Sequence, residues 1–566
     1  MGGGLLQLKR IGQQDMQLIG NPQMTFFKTV YRRHTNFSME MRRIDFEGIS
    51  DLSFSLPTTF RCNIPRDGDL LSNLFFSISL PNIYSGYYTD DPNDVNKPGI
   101  NIEFEWIPNL GTQIIKKTTL SIGGVQINEV YGAWIEIYNE LFADTSEKNN
   151  FDDITGHDPS LFKPSHNGWN GGIYPSSSLR PEQNVNPVSI EIFQSNFKRN
   201  PFLQPPSIQS RQLYVPLPFF FSKHPGLALP LVALQYHEVF IEIECRPISE
   251  LYTIIETRDF GDVPARKRTA PNPSFEHHHI GNFITSVPIA SFTPEMDLTD
   301  GDKNLQGWNS NVHLLANYIF LDDQERTQFA NNEHEYLIEQ VTRQDFTGVY
   351  GSQSLKLNLN HPTKLLLWCA QRSDIGQKLN LHNNYTNWLD EFIPPNSQAY
   401  VELLGAEDED PLYYVYENGE ILIINGVRQT LDSDASGSRA LLPTKFNFQT
   451  YEKEIVKKSQ LIFDGKVRYE EQPNKFHTKL QSYLHKTRID KSGINLYNFG
   501  LNPAGFQPNG QVNFSQISDI KLNVTVLDPP KKAYNAGTYD YNLFVYAINY
   551  NVLKIQSGMA GISYVN

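Results

Sequence analysis

The chain has 566 residues, and its 62 acidic residues outnumber its 48 Lys and Arg residues, which gives a formal net charge of −14. Single hydrophobic cores stop growing at about 250–300 residues, so this length predicts two large domains and excludes one ordinary core. Nucleic acid repels a chain of this charge on average, so we expect no direct nucleic-acid binding.

The composition favours sheets over long helices. Aromatic residues make up 12% of the chain, with 28 Tyr and 35 Phe, whereas charged residues make up 19%. Aromatic side chains suit half-buried pleated surfaces. The 37 Gly and 35 Pro are spread along the chain, as expected for many strands joined by turns. We therefore predict an all-β protein.

The N-terminal region is basic, unlike the rest of the chain. This basic arm could reach an acidic neighbour, an anionic lipid surface or a partner subunit, and a solvated extension is the alternative. The basic residues of positions 1–43 are Lys9, Arg10, Lys28, Arg32, Arg33, Arg42 and Arg43, and the acidic ones are Asp15 and Glu40.

Cysteine spacing and hydropathy predict where the protein is made. Cys62, Cys245 and Cys369 lie far apart and form no CxxC motif, which indicates a reducing compartment. The start of the chain has no apolar core of a signal peptide, and no run approaches the roughly 18 apolar residues of a membrane span. We expect a soluble protein made in the cytosol.

Strand patterns dominate in chain order. Residues 52–56 alternate between apolar and polar side chains, and residues 74–80 form an apolar run ended by Pro81. In Val239–Cys245 the apolar side chains share one face and the glutamates the other. Alternation of this kind predicts half-buried strands of antiparallel sheets.

Only two short helices are predicted. One follows Gly132, where Trp134, Ile137, Tyr138 and Leu141 recur at helical spacing. The other begins near Asp322, an N-cap residue with Glu325 three positions later. Both helices are too short to be the scaffold.

A faint internal repeat divides the chain into halves. Leu213-Tyr214, a Pro225-Gly226 loop and the strand from Val239 are matched by residues 496–497, 508–510 and 520–526. The offset is about 283 residues, half of the chain length. A looser echo relates residues 122–125 to 424–427. The repeat predicts two domains of similar size.

Two poorly patterned stretches predict loops or passages between domains. Residues 248–307 contain Pro-Asn-Pro at 271–273 and little periodicity, and residues 404–412 contain the acidic run 407–410. We predict an N-terminal arm (1–25), a first domain (26–247), a connector (248–307), a second domain (308–550) and a C-terminal tail (551–566).

Motifs for catalysis or metal binding are weak. No phosphate-binding glycine loop occurs, and His237-Glu238 and His334-Glu335 lack the second His of a zinc protease helix. The run 277–279 is all His and could bind a metal with Glu276, although such runs are more often polar loops.

The acids at 407–410 could serve a glycosidase but are more often solvated. The basic run 266–268 is a weak nuclear-import signal. We predict no catalytic residue, no cofactor and no metal.

Four Asn-x-Ser/Thr sequons begin at Asn36, Asn384, Asn513 and Asn523. Four are near chance in a chain with this much Asn. We retain Asn384 and Asn523 as possible glycosylation sites, and we expect Asn523 to point outward from its strand.

Long segments spread from end to end resemble the major capsid proteins of nucleocytoplasmic large DNA viruses, the group of phycodnaviruses and mimivirus. The resemblance does not cover about 85–100, 145–205, 248–307 and 370–415, where family members differ. The similar segments are GNPQMTFFKTVYRRHTNF (20–37), SIGGVQINEVYGAW (121–134), PLPFFFSKHPGLALPLVALQYHEV (216–239), YIFLDDQERTQFANNEHEYLIEQ (318–340), LNHPTKLLLW (359–368), LYNFGLNPAGFQPNGQVNFS (496–515) and INYNVLKIQSGMAGISYVN (548–566).

The resemblance implies two tandem eight-stranded jelly-roll sandwiches with a few short helices in loops. It implies a structural protein, not an enzyme, that forms a homotrimer of near-hexagonal outline and tiles an icosahedral capsid. The implied partners are neighbouring capsomers, minor capsid and penton proteins, and the virion's inner membrane. A late viral protein of this kind is made in the host cytoplasm and assembled at viral factories. Arg32 and Arg33 would face partners or the shell interior.

Two other readings remain open from the residues. A carbohydrate-binding or carbohydrate-hydrolysing β-sandwich would use aromatic-lined loops and would act as a monomer. A minor or penton-type shell component usually carries one sandwich, which the half-chain repeat argues against.

Overall fold

The computed structural model describes residues 3–48, 51–83, 86–88, 100–164, 208–260, 263–275, 278–284, 308–389, 391, 423–424, 427–428, 452–528 and 539–564. Strands dominate these residues, and every strand pairing in them is antiparallel.

The strands up to residue 321 are β1 (Phe37–Asp45), β2 (Thr58–Asn63), β3 (Leu70–Leu80), β4 (Gly86–Tyr88), β5 (Ile100–Trp106), β6 (Ile115–Ile122), β7 (Val125–Tyr131), β8 (Arg211–Pro216), β9 (Leu229–Pro230), β10 (Val239–Cys245), β11 (Tyr252–Phe260), β12 (Val263–Thr269) and β13 (His313–Leu321). Those after it are β14 (His334–Val349), β15 (Ser352–Leu357), β16 (Pro362–Arg372), β17 (Ile423–Ile424), β18 (Val427–Arg428), β19 (Val456–Phe463), β20 (Lys466–Pro473), β21 (Ile494–Asn498), β22 (Val512–Asn513), β23 (Ile520–Val526), β24 (Tyr541–Gln556) and β25 (Met559–Ile562).

The helices are short, and they precede β1 or lie in the connections between strands. The α-helices are Gly3–Lys9, Met16–Ile19, Leu110–Ile114, Gly132–Phe142, Thr145–Thr155, Pro159–Phe162, Gly281–Ile284, Asp323–Asn331, Ile375–Leu379 and Gln481–His485, and Phe476–Leu480 is a π-helix. The 3-10 helices are Phe220–Ser222, Pro225–Leu227, Leu231–Ala233, Ile248–Glu250 and Phe514–Gln516.

Eight strands of the first half form a jelly-roll sandwich. One sheet has the order β1-β13-β3-β8 and the other the order β2-β10-β6-β7. β10 shows why these sequences form strands: its alternate side chains Val239, Ile241 and Ile243 are buried between the sheets. A separate sheet, β12-β11-β5-β4, packs beside this sandwich.

The second half repeats the same sandwich. Its sheets have the orders β14-β24-β16-β21 and β15-β23-β19-β20, so each strand has a counterpart at the same place in the first sandwich. β14 corresponds to β1, β16 to β3, β21 to β8, β23 to β10 and β24 to β13. The predicted fold class, two tandem eight-stranded jelly rolls with short helices in loops, is confirmed.

The internal repeat holds for the order of the strands, but the matched residues do not face the same side in the two sandwiches. β8 and β21 occupy equivalent places, but Leu213 faces the inside of the first sandwich, whereas Tyr497 joins the core of the second and Leu496 faces outward. The looser echo was wrong, because the turn equivalent to residues 123–124 is the β19–β20 turn at 464–465, not residues 425–426.

The predicted boundaries need three corrections. β13 lies between β1 and β3, so residues 313–321 belong to the first sandwich and not to the second. β11 and β12 are strands inside the predicted connector, and Tyr252 and Ile254 of β11 are fully buried. β24 continues to Gln556 and pairs with β25, so the predicted tail is largely part of a sheet.

The local predictions were mostly confirmed. The strand over residues 74–80 is the end of β3, and the helices Gly132–Phe142 and Asp323–Asn331 form where predicted, the second with Asp322 accepting a hydrogen bond from Glu325 N. The strand over 52–56 was wrong. The carbonyl oxygens of Ser53 and Phe54 accept hydrogen bonds from the 3-10 helix Ile248–Glu250 and not from a neighbouring strand. The alternation arises because Leu52 and Phe54 are buried.

Gly132 is the point where β7 turns into the helix Gly132–Phe142. A Cβ at this position would clash with the carbonyl oxygens of Ile115 and Thr112, which are backbone atoms that cannot rotate away. We expect Gly132→Ala to lower the free energy of unfolding by about 1–3 kcal/mol or more, measured by urea denaturation. Gly561→Ala in β25 is the control, because its Cβ would meet nothing within 4 Å. Equal stability of the two variants would contradict this account.

Candidate assembly site

The two sandwiches meet at an extensive contact, which we call the junction. There the outer face of the sheet β14-β24-β16-β21 packs on the helix Gly132–Phe142 and neighbouring loops of the first sandwich. The rings of Trp134 and Tyr546 lie 5.3 Å apart across it, and both are 1% exposed. The sheet residues buried at the junction are Leu365, Leu367, Cys369, Ile494, Leu496, Tyr546 and Ile548.

A buried triad of charges crosses the junction. Glu339 of β14 binds Lys223, from the loop after β8, at 2.7 Å and also binds Lys364 of β16. Burial alone would raise the pKa of Glu339, but the two lysine charges outweigh it and lower the pKa to about 2. Lys364 also donates a hydrogen bond to Pro503 O at 3.1 Å. The triad therefore fixes the position of the second sandwich with a charged carboxylate.

A second buried ion pair lies at the other side of the junction. Lys491 of the second sandwich binds Glu136 of the helix Gly132–Phe142, and both side chains are at most 10% exposed. Burial would lower the pKa of Lys491, but the neighbouring carboxylates, Glu136 first and then Glu391, together outweigh it and the pKa is raised. Gln113 and Asn383 also donate hydrogen bonds to Glu136. Glu136 thus receives partners from both sandwiches.

The junction contains a partly open pocket of about 270 Å³ with many charged residues in its lining. Its charged lining is largely paired: Lys148 binds Glu140 at 2.8 Å and Asp490 at 3.4 Å, and Arg268 binds Glu105 at 3.4 Å. Burial raises the pKa of Asp152 to about 6 and lowers the pKa of His157 to about 4. Ion pairs hold Lys148, its two carboxylate partners and Arg268 in place, so we interpret the pocket as a structural feature. Its main charged residues are Glu136, Glu140, Lys148, Asp152, Arg268, Glu391, Lys453, Asp490 and Lys491.

The N-terminal segment 3–36 lies on the outside of the molecule. Arg32 and Arg33, the predicted arm contacts, are exposed, and their role in assembly stays a prediction. Sequence reasoning noticed the basic residues here but missed the apolar ones. Twelve large apolar side chains of this segment are at least 49% exposed: Leu5, Leu6, Leu8, Ile11, Met16, Leu18, Ile19, Met24, Phe26, Phe27, Val30 and Tyr31.

Asn384 was wrongly predicted as a possible glycosylation site. It is 3% exposed, its Nδ2 donates to Trp388 O and its Oδ1 accepts from Thr386 N, so the folded chain has no room for a glycan there. Asn523 lies on β23, half-buried, and donates to Gln460 at 3.1 Å. Its glycosylation stays a prediction.

The histidines considered as metal ligands have structural roles. His237 Nδ1 accepts a hydrogen bond from Ala560 N, and His334 contacts Phe329 O at 2.7 Å. His278 is buried and His279 stacks on Phe54, whereas Glu276 and His277 lie outside the described residues. Among the residues that the structure describes, no group of three or more His, Cys, Asp or Glu could hold a metal ion.

The other candidate residues are either buried or lie outside the described residues. Arg268, the last residue of the proposed nuclear-import run, is 6% exposed and donates to Thr253, so it is not available to an import receptor. The acidic run 407–410 lies outside the described residues. Cys62, Cys245 and Cys369 are buried free thiols. In the described part of the chain no helix has the length and hydropathy to cross a membrane.

Comparison with known families matches nearly the whole chain. Residues 25–322 match the family model "Major capsid protein N-terminus", and residues 325–561 match "Large eukaryotic DNA virus major capsid protein". The boundary between the two falls just after β13, in agreement with its place in the first sandwich.

Individual relatives and solved structures give the same result. The chain is 31% identical to the major capsid protein of Phaeocystis pouchetii virus and 28% identical to that of Paramecium bursaria Chlorella virus 1, in each case over 100% of both chains. PBCV-1 VP54 is similar in structure, with a TM-score of 0.58 and 25% identity over 96% of this chain and 100% of that one. The Faustovirus major capsid protein shares the fold, with a TM-score of 0.55 and 12% identity over 96% of this chain and 94% of that one.

The buried triad generates a stability prediction. Glu339→Gln leaves Lys223 and Lys364 buried without a counter-charge, and we expect it to cost about 3–5 kcal/mol in urea denaturation near neutral pH. Glu335→Gln on the same strand is the matched control, because its ion pair with Lys554 is more than half exposed and should be worth less than about 1 kcal/mol. Similar losses in both variants would contradict a special role for the triad.

The Glu339 carboxylate also predicts that the folded protein loses stability in acid. Its folded pKa of about 2 lies below its ordinary value of 4.5, so its stabilisation is present above pH 4.5 and is lost as the pH falls toward 2. The shift is worth about 3 kcal/mol. Urea midpoints measured across this range should fall for the wild type, and Glu339→Gln should lack this contribution. Parallel profiles for the two proteins would be evidence against the assignment.

Proposed function

The chain belongs to the family of large eukaryotic DNA virus major capsid proteins, and from this premise we propose that three copies assemble into one capsomer of near-hexagonal outline. A major capsid protein forms the shell of the virion, so its function is structural. In the proposed shell, these trimers tile an icosahedral surface.

The observation that carries the proposal is the pair of similar sandwiches in one chain. The two have the same strand order and are fixed to each other by the junction. Three such chains supply six similar blocks, so an object with threefold symmetry can fill a position with six neighbours. Closed rotational symmetry is the usual form of protein oligomers. The similarity to a chain of the PBCV-1 virus capsid, at a TM-score of 0.55, supports this reading.

We further propose that the protein has no enzymatic activity. The polar groups at the junction are engaged with one another: Glu136 with Lys491, and Glu339 with two lysines. A general acid or base must keep a proton-exchanging group accessible to substrate. The alternative of a glycan-binding sandwich predicts a monomer that binds sugars. It has no observation in its favour among the described residues.

The proposed partners follow from the position of a capsomer in a shell. They are neighbouring capsomers, minor capsid and penton proteins, and the inner membrane of the virion. The exposed N-terminal segment, with Arg32 and Arg33, is the proposed contact with such partners. We also propose that the protein is made late in infection in the host cytoplasm and assembled at viral factories.

Trimer formation is tested by mass. Size-exclusion chromatography with light scattering on the purified full chain should give three times the chain mass of 64.7 kDa. The trimer should persist on dilution, because obligate interfaces typically bury about 2,000–5,000 Å². A monomer that binds oligosaccharides would refute the proposal and favour the lectin reading.

Deletion of residues 1–25 tests the arm. Residues 3–25 are all exposed except Gly20, which is half-buried, so the deletion removes no core and should leave the melting temperature unchanged. We expect it to impair assembly of shells during infection, since the deleted segment contributes contacts to partners. The pair Arg32→Ala and Arg33→Ala, which keeps the arm's length, is the companion variant. Normal particles from the deleted protein would count against an assembly role.

A further inference from the structure

The two sandwiches do not use their equivalent surfaces equally. In the second sandwich the outer face of β14-β24-β16-β21 is covered by the junction, and all five residues of β21 are buried. In the first sandwich the equivalent face of β1-β13-β3-β8 is only partly covered: Phe37, Met39 and Met41 of β1 are 51–52% exposed. These side chains share one face with Leu315 and Phe75, which are half-buried. We call these five residues the sheet surface.

The element that covers the second sandwich has an exposed counterpart. The helix Gly132–Phe142 connects β7 to β8, and its side chains Trp134 and Glu136 reach across the junction. The equivalent connection, from β20 to β21, contains the π-helix and α-helix of residues 476–485. Besides the exposed Lys479, this segment exposes three apolar side chains, and a fourth comes from the loop after β21. They are Leu480 (44%), Tyr483 (83%), Leu484 (58%) and Leu501 (81%), which we call the helix surface.

Within one chain, the helix Gly132–Phe142 covers the outer sheet face of the second sandwich. Among the described residues, the helix surface and the sheet surface are the two equivalent halves of this contact that remain exposed. We propose that the helix surface of one copy packs on the sheet surface of the next copy, in the arrangement that the junction shows within one chain. This inference rests on the proposed trimer and adds which surfaces hold it together. The occupant of the sheet surface is therefore a second copy of this chain.

The chemistry of the two surfaces supports this pairing. The helix surface presents Tyr and Leu side chains, and the sheet surface presents Phe, Met and Leu, so the two can pack together and exclude water. The nearby charged side chains of β1 are paired within the chain: Arg42 binds Glu40 at 3.1 Å, and Arg43 binds Asp45 at 2.7 Å. The contact between copies would then be mainly apolar, unlike the ion-paired junction.

The geometry of the proposed contact is head-to-tail. Each copy uses a different surface toward its two neighbours, which is the heterologous type that produces closed rings when the rotation per copy divides a full turn. A twofold dimer would instead require one surface to pair with itself. This difference makes the proposal testable by mixing variants.

Two single variants each block one surface. Tyr483→Asp places a carboxylate in the helix surface, and Met39→Asp places one in the sheet surface. Both positions are at least half exposed in the single chain, so the isolated variants should fold and give the far-UV circular dichroism spectrum of the wild type. Each should raise the concentration needed for half-assembly by at least about 30-fold. Tyr350→Asp, at an exposed apolar position in neither surface, and Tyr483→Phe are the matched controls and should remain trimeric.

The decisive measurement is light scattering on an equimolar mixture of Tyr483→Asp and Met39→Asp. The first variant keeps an intact sheet surface and the second an intact helix surface, so one contact can form and the ring cannot close. We expect a 1:1 dimer in the mixture and monomers in each variant alone. Trimeric single variants, or a mixture that stays monomeric, would overturn the assignment of the surfaces. A wild-type protein that is not trimeric would instead refute the proposed function itself.

Discussion

One constraint organises the molecule: the central part of the sheet β14-β24-β16-β21, in strands β24, β16 and β21, is buried on both faces. A sheet in a free sandwich needs only one apolar face, and the outer face can stay polar. Here Leu365, Leu367 and Cys369 face the first sandwich while Leu366 and Trp368 fill the second, so residues 365–370 of β16 are all apolar. The second sandwich therefore cannot expose this face to water without a large hydrophobic cost, and the two sandwiches behave as one body.

Buried charges make the contact specific as well as strong. Apolar surfaces alone tolerate sliding, whereas Glu339 must meet Lys223 and Lys364, and Glu136 must meet Lys491. Loss of one partner leaves a desolvated charge, which is costlier than the pair is stabilising. These pairs define a single relative orientation of the sandwiches. A fixed orientation is what a shell subunit requires, since any variation between copies would be propagated across the lattice.

The sequence predicted the fold class because alternation within strands such as Val239–Cys245 is a local property. It misplaced β13 because a strand's partners are set by long-range pairing, and the sequence of His313–Leu321 does not show that it returns to β1 and β3. The burial of Asn384 was equally hidden, since its hydrogen bonds form within a loop that only the fold encloses. The junction was missed for the same reason: Glu136 and Lys491 are 355 residues apart and carry no motif.

The central claim is that one chain contains two equivalent blocks in a fixed arrangement that repeats between copies. Electron cryomicroscopy of the purified full chain tests it most directly. We expect closed particles of three chains in which six similar blocks surround one axis, with the contact between chains resembling the contact within a chain. Particles with a twofold axis, or single chains whose sandwiches adopt variable relative orientations, would contradict it.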